Sequence, residues 1–260
     1  MMTGNFLLNS KRLILSIVIL CFSAAVLFSQ KNLSGILNQP KAHVITIQAS
    51  DRVIVDDVTG FAANDTILVI QMQGVGILTG ATDYGNIQNF LGQPGMHEFM
   101  IIQSVNSLTQ QIIFRNFLLK TYDVRGNIQI VRVPYYNTAT VTGTLTCDPW
   151  NSTTKKGGVL ALIIGRSLKL NADIDVSTRG FLGGNDIIGE ARCSMVAPVT
   201  INYSYPLSFL NAGFKGEGIA IHDDAFTLLA PNNVKGKGPN FTGGGGGNGR
   251  FSGGGGGSNR

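Results

Sequence analysis

The sequence predicts an all-β protein in which a β-barrel or sandwich-like N-terminal domain is followed by a glycine-rich, parallel β-helix-like region. Short runs rich in β-branched residues recur between Val44 and Ile130, and none of them has a helical period. A strict period-two alternation occupies residues 168–176, and two five-glycine blocks follow near the C-terminus. Charged residues make up 13% of the chain and apolar residues 43%. This composition excludes a coiled coil and argues against general disorder.

The N-terminal segment, residues 1–29, has the pattern of a secretory signal peptide. Lys11 and Arg12 precede a long apolar run, and cleavage after Ser29 would leave Gln30 as the first residue. A membrane anchor is the alternative, but the run would span only about 24 Å of a roughly 30 Å hydrocarbon core. We therefore expect an exported protein, secreted or at the cell surface, with no membrane span after cleavage. Loss of Lys11 and Arg12 lowers the net charge from +5 to +3, which is too small to suggest a nucleic-acid partner.

Residues 30–43 are interpreted as a linker and residues 44–146 as the barrel or sandwich-like domain. The predicted strands are short apolar runs at residues 44–47, 53–55, 66–72, 99–102, 111–114 and 128–133. Asp, Asn and Gly separate these runs, as is typical of the turns in an antiparallel barrel or sandwich. The insertion from Gly74 to Gly95 is rich in Gly and Asn, so we expect a surface loop or flap there.

Residues 150–260 are interpreted as the β-helix-like region. Residues 159–164 form an apolar run, and the alternation at residues 168–176 places apolar side chains on one face of a strand. Two such ribbons in succession suggest stacked rungs of a parallel β-helix that share a core. A two-stranded hairpin that turns at Gly165 and Arg166 is the alternative, and the sequence leaves both open.

The tail contains the glycine blocks Gly243–Gly247 and Gly253–Gly257. An isolated linker of this composition would be a flexible coil. Glycine also allows backbones to pack closely, so the blocks could instead pack as polyglycine helices, as in a ligand-binding domain. Phe241 and Phe251 recur at the same ten-residue spacing as the blocks, which favours a folded segment.

Two groups of side chains are candidate sites, although the sequence contains no recognisable catalytic or cofactor-binding motif. Asp173 and Asp175 project from one face of the alternating strand, about 7 Å apart, and could bind Ca²⁺ or act as an acid–base pair. A solvated sheet edge explains this pair better. Tyr135, Tyr136 and Trp150 could contact a ligand such as a sugar ring. Because Pro134 and Pro149 bracket the stretch, a junction between two β regions is the favoured interpretation.

Two cysteines remain after removal of the leader. Cys147 and Cys193 are 46 residues apart, and neither has a Cys or His nearby at a spacing typical of zinc sites. In an exported protein the pair could form a disulfide, and two buried thiols are the alternative. We expect no cofactor, with Ca²⁺ at the aspartate pair as the metal to test.

Several blocks of the sequence resemble a known class of surface proteins. The blocks are FAANDTILVIQMQG (residues 61–74), IQIVRVPYY (128–136), GGVLALIIGRSLKLNADIDVSTRGFLGG (157–184), AGFKGEGIA (212–220) and GGGGGNGRFSGGGGGSN (243–259). Together they resemble the N-terminal region of very large, glycine-rich surface adhesins and gliding-motility-associated proteins of gliding bacteria, which are type IX-like secretion substrates.

The resemblance implies a non-enzymatic role in adhesion or in a gliding-associated surface structure, and a chain that is the leading fragment of a longer protein. The implied partners are the secretion machinery and a surface polysaccharide or protein. The alternative is a carbohydrate-active β-helix enzyme, a polysaccharide lyase or hydrolase, that would use Asp173 and Asp175.

Overall fold

The computed structural model describes residues 31–79, 86–188, 204–223, 228–229, 232–238, 244–249 and 251–257. This part of the chain is all-β, as predicted, and its one helical element is the 3-10 turn Val124–Gly126. The strands are β1 Lys31–Ile36, β2 Lys41–Ala49, β3 Arg52–Val55, β4 Thr66–Gln71, β5 Val75–Ile77, β6 Ile87–Phe90, β7 His97–Asn106, β8 Gln111–Phe114, β9 Ile128–Arg132, β10 Tyr135–Thr146, β11 Ile163–Leu170 and β12 Ala220–Asp223. No helix in the described ranges is long and apolar enough to cross a membrane.

Six strands close into a barrel in the order β2-β3-β8-β7-β4-β9. Every neighbouring pair is antiparallel, and the pairing of Lys41 in β2 with Val131 in β9 completes the closure. Alternate side chains point inward and form one apolar core. The buried residues of this core include Val44, Val55, Ile67, Ile102, Ile112, Phe114 and Ile130. Of the barrel and the sandwich that the short apolar runs left open, the structure has the barrel.

The barrel begins and ends at other residues than the sequence indicates. Its strands start at Lys41 and end at Arg132. β1 lies within residues 30–43, which were expected to form a linker. β10 lies within residues 44–146, which were expected to form the barrel, but it is not a strand of the barrel. The two strands pair with each other in parallel, because each alone would expose apolar side chains that the pair buries.

A parallel sheet forms from β1, β10 and β11, with β10 in the centre. Its register aligns Leu33, Val141 and Leu170 across the three strands. A bridge between Leu145 and Ile174 adds a second aligned position. Leu33, Val141 and Leu145 are buried in the core of this sheet, whereas Leu170 is 58% exposed. The aligned apolar side chains are thus buried on the central strand β10 and exposed to solvent on the outer strand β11.

The strand β11 continues through Gly165 and Arg166, where its register against β10 shifts by one residue at a β-bulge. The alternative of a hairpin that turns at these residues is therefore wrong. The chain bends after β11, at Asn171 and Ala172, before the parallel pairing resumes at Ile174. The period-two pattern of residues 168–176 thus covers the end of β11, a bend and one further bridge, and its apolar side chains Leu170, Ile174 and Val176 are exposed rather than buried.

A third, mixed sheet has the order β12-β5-β6, with β5 parallel to β12 and antiparallel to β6. Val75 and Ile77 of β5 are fully buried and pack against Ala220, Leu229 and Val234. The expectation of a surface loop or flap across this insertion is therefore wrong for β5, because a segment far along the chain covers its apolar side chains. Residues 80–85 of the insertion lie outside the described ranges.

Four extended glycine-rich segments, residues 181–187, 212–218, 244–247 and 252–257, pack side by side and are here called the glycine array. Successive backbone N–H groups in the second segment donate to different neighbours, and the pattern repeats after three residues. The donor–acceptor pairs are Gly213 to Gly247, Phe214 to Asn185, Lys215 to Val234, Gly216 to Gly244 and Glu217 to Leu182. A three-residue repeat with all bonds made to neighbouring segments is the geometry of a polyproline II-type helix.

At several positions of the glycine array, the close approach of the backbones leaves no room for a side chain. A Cβ atom at Gly216 would lie 2.0 Å from the carbonyl oxygen of Gly256, and one at Gly254 would lie 1.7 Å from that of Gly184. Ordinary contact begins at 3.4 Å. The described part of the tail is therefore folded, and backbone hydrogen bonds hold it, since Phe251 is 62% exposed.

Candidate functional site

The barrel end meets the glycine array at a buried Trp–Glu pair. Trp150 lies between β10 and β11, and its side chain is 2% exposed. Its indole Nε1 donates to Oε2 of Glu217 over 2.9 Å, and its ring meets the edge of Phe181 with centroids 5.3 Å apart. A buried indole normally needs a partner for its N–H group, and the carboxylate of Glu217 supplies it.

The carboxylate of Glu217 is also buried, at 2% exposure. Besides Trp150, it accepts hydrogen bonds from the backbone N–H of Leu182 over 3.3 Å and from Nε2 of Gln73 over 3.4 Å. Burial raises the pKa of Glu217, and the hydrogen bonds from these partners oppose that rise. A hydrogen-bonded carboxyl with a raised pKa beside a cavity is a candidate functional group.

A chain of buried amides connects Glu217 to the barrel. Gln73 follows β4, and its Nε2 also donates to the carbonyl oxygen of Gly218 over 2.6 Å. Its Oε1 accepts from Nδ2 of Asn127 over 2.6 Å. Gln71, at the end of β4, donates from Nε2 to the carbonyl oxygen of Gln73 over 2.8 Å. The end of β4 therefore fixes the position of the Glu217 segment against the barrel.

A cavity of about 250 Å³ opens beside this network. Its polar lining consists of Gln73, Arg125, Asn127, Lys155 and Glu217. Lys155 holds a left-handed backbone conformation, with φ of 59°, in the turn that Asn151 and Lys156 close. The cavity therefore combines one buried acid, two cationic side chains and two amides.

A larger cleft of about 580 Å³ lies on another side of the same junction. Its walls include Gln71, Met72, Pro94 and Phe181, together with Ile219. The lining is mainly apolar, and Phe181 connects it to Trp150 through their ring contact. Two open spaces therefore flank the buried Trp–Glu pair.

Two lysines are buried within or beside the glycine array. Lys215 is fully buried, and its Nζ donates to the carbonyl oxygen of Gly238. Burial, assisted by the charge of Lys237, lowers the pKa of Lys215 to about 7. Lys235 donates from Nζ to the carbonyl oxygens of Leu207 and Phe209 over 2.9 and 2.8 Å. These ammonium groups tie backbone carbonyls together where the array has few side chains.

The aspartates singled out in the sequence lie on an exposed segment after β11. Asp173 pairs through its backbone with Leu145, and its side chain is exposed. The carboxylate of Asp175 accepts from the N–H of Ser177 over 2.8 Å, and this hydrogen bonding lowers the pKa of Asp175. Within the described residues, no group of three or more His, Cys, Asp or Glu side chains could hold a metal ion. The aspartate pair therefore gains no third acidic ligand there.

The three candidate aromatics do not share an exposed surface. Tyr135 is 60% exposed, whereas Tyr136 is half-buried and packs against the core of the parallel sheet. Trp150 is buried at the junction, so its faces are closed to a sugar ring. Of the three, only Tyr135 presents a ring that a ligand could reach without displacement of the fold.

The thiol of Cys147 is 2% exposed, and burial raises its pKa. Its suggested partner Cys193 lies outside the described residues, so the disulfide stays a prediction. The structure also brings forward residues that the sequence did not single out, namely Glu217, Gln73, Asn127 and Lys155. One signal was available: Glu217 is the only carboxylate in the AGFKGEGIA block.

Comparison with known proteins gives little similarity. No family model matches the chain, and no curated protein matches it. Among solved structures, the tailspike protein gp49 from Pseudomonas phage LKA1 is similar, with 12% identity and a TM-score of 0.25. The similarity covers 48% of this chain and 24% of the phage protein, so the chain spans about a quarter of that protein's length. A likeness this weak carries no argument about fold or function.

Proposed function

We propose that the chain is part of an exported bacterial surface protein with a non-enzymatic role in adhesion or in a gliding-associated surface structure. The signal-like segment of residues 1–29 and the resemblance to glycine-rich surface adhesins support this proposal.

The glycine array is the observation that carries the proposal. It holds four segments together through backbone hydrogen bonds that point to different neighbours, so the packing of these segments does not depend on ion pairs at the surface. Such a scaffold suits a surface protein, because tightly bonded backbone is a poor protease substrate and its stability changes little with the salt concentration outside the cell. A position beside two open spaces also suits a ligand-presenting module.

We also propose that β1, β10 and the β11 ribbon are successive rungs of a β-helix-type stack. The support is the parallel register, which aligns apolar residues across all three strands at Leu33, Val141 and Leu170. Stacked rungs bury a shared core in this way. In this arrangement the barrel is an insertion between the first rung and the second.

Labelling of intact native cells tests the location. A membrane-impermeant amine reagent should modify the exposed lysines of this protein on whole cells, while a cytoplasmic control protein remains unlabelled. Cells that lack the gene should then lose adhesion to a surface that wild-type cells colonise. Labelling that appears only after lysis would refute the export proposal, and unchanged adhesion together with unchanged gliding would refute the role.

A further inference from the structure

The cavity beside Glu217 contains hydrogen-bonding groups that the fold leaves available. Within the described residues, Oε1 of Glu217 has one donor, Gln73 Nε2, at 3.4 Å, which is the outer limit of a hydrogen bond. Asn127 uses Nδ2 to reach Gln73, so its Oδ1 can still accept. Lys155 lines the same space, and its charge acts on the Glu217 carboxylate, but within the described residues its ammonium makes no side-chain hydrogen bond or ion pair. The cavity thus offers two acceptors and one donor.

The remaining surface of the cavity limits which ligands fit. Ile221 and Leu229 form an apolar wall, and Leu229 is 1% exposed. The volume of about 250 Å³ is below the roughly 300–1,000 Å³ of pockets for drug-sized molecules. The ligand is therefore small, with one apolar face and several groups that donate and accept hydrogen bonds.

The charges favour a neutral ligand over a charged one. The guanidinium of Arg125 is already paired with the carboxylate of Asp123, with Nη2 to Oδ2 at 2.6 Å. A ligand carboxylate would therefore meet Lys155 and a guanidinium whose charge Asp123 already offsets. A ligand ammonium would meet Glu217, whose Oε2 already accepts from Trp150 and Leu182. Hydroxyl groups suit this lining better, because each of them both donates and accepts.

We propose that this cavity binds a single sugar residue, with hydroxyls that donate to Glu217 and Asn127 and accept from Lys155. The apolar face of the sugar ring lies against Ile221 and Leu229. This inference rests on the proposed function, because it assumes an adhesive surface protein. It adds to that function the class of ligand that the protein would bind. The two proposals fail separately, because sugar binding is measured on purified protein and export is measured on cells.

Saturation-transfer NMR on the purified chain tests the site. The probes are the methyl glycosides of glucose, galactose, mannose, rhamnose and N-acetylglucosamine, with free alanine as the zwitterionic comparison. At least one glycoside should receive saturation from the wild-type protein. Lys155→Met should weaken its binding about tenfold or more, since a charge-assisted hydrogen bond contributes about 1.5–3 kcal/mol.

Lys156→Met is the matched control. Lys156 is the adjacent residue, and its Nζ pairs with Asp56 over 2.6 Å, away from the cavity lining. This variant should bind the glycoside as wild type does. Glu217→Gln should also weaken binding, and the urea midpoint of this variant shows whether it is folded. The comparison of Lys155→Met with Lys156→Met then shows whether the sugar binds in the cavity. Absence of saturation transfer to every glycoside, binding of alanine alone, or equal binding by Lys155→Met and wild type would each overturn the proposal.

Discussion

Substitution of Gly216 by alanine tests the packing of the glycine array. A Cβ atom at this position would lie 2.0 Å from the carbonyl oxygen of Gly256 and 2.5 Å from its carbon. Because ordinary contact begins at 3.4 Å, one of the two backbones must move by about 1.4 Å. That displacement breaks the bond from Gly216 N to Gly244 O, now 3.0 Å, and strains the bond from Gly255 N to Phe214 O, now 2.8 Å.

The cost of Gly216→Ala can be estimated from these changes. Overpacking costs about 1–3 kcal/mol, and each lost hydrogen bond about 1 kcal/mol. Alanine also lowers the conformational entropy of the unfolded chain, which offsets about 0.4–1 kcal/mol of this loss of stability. We therefore expect the free energy of unfolding to fall by about 1–4 kcal/mol, which lowers the Tm by roughly 2–15 °C in a chain of this size.

Gly253→Ala is the matched control for Gly216→Ala. A Cβ atom at Gly253 would meet nothing within 4 Å, so this variant should lie within about 0.5 kcal/mol of wild type. Urea denaturation measures both variants, and hydrogen exchange of the peptide that covers residues 212–218 shows whether the loss is local. Equal stability of the two alanine variants would refute the close packing of the glycine array.

Two further predictions concern the buried polar groups. Trp150→Phe removes the indole donor to Glu217 and should lower the free energy of unfolding, measured by urea denaturation, by about 1.5–3 kcal/mol. Tyr135→Phe, at an exposed ring, should change it by less than about 0.5 kcal/mol. Equal effects of the two substitutions would contradict the buried Trp–Glu pair. The pKa of Lys215 is about 7 in the folded protein and 10.5 in the unfolded chain, so the folded state binds fewer protons between these values and its stability should rise by about 2 kcal/mol from pH 7 to pH 9. Lys215→Met should abolish that rise, and a wild-type stability that is flat across this range would contradict the burial of the ammonium.

A barrel or sandwich could be predicted from the sequence because a short local pattern specifies each of its strands. Each strand is a short apolar run, and neighbouring runs are separated by turn residues, as at Asp56 and Asn106. The partner of β10 could not be predicted in this way. β10 pairs with β1, which lies on the other side of the whole barrel in the sequence, and period-two alternation does not specify a partner.

The glycine array and the Glu217 site show a second limit of the sequence. Glycine has no side chain, so the pattern of the blocks carries no information about which segments become neighbours. The spacing of Phe241 and Phe251 suggested that the tail folds, but Phe251 is 62% exposed and Phe241 lies outside the described residues. Glu217 becomes buried only because Trp150 and Gln73, 67 and 144 residues away, reach it.

Mass spectrometry of the N-terminus of the native protein, purified from the cell surface or the medium, tests the account most directly. If the protein is exported and cleaved after Ser29, its chain should begin at Gln30 and should be recovered from the surface or extracellular fraction. A chain recovered only from the cytoplasm and beginning at Met1 would contradict it.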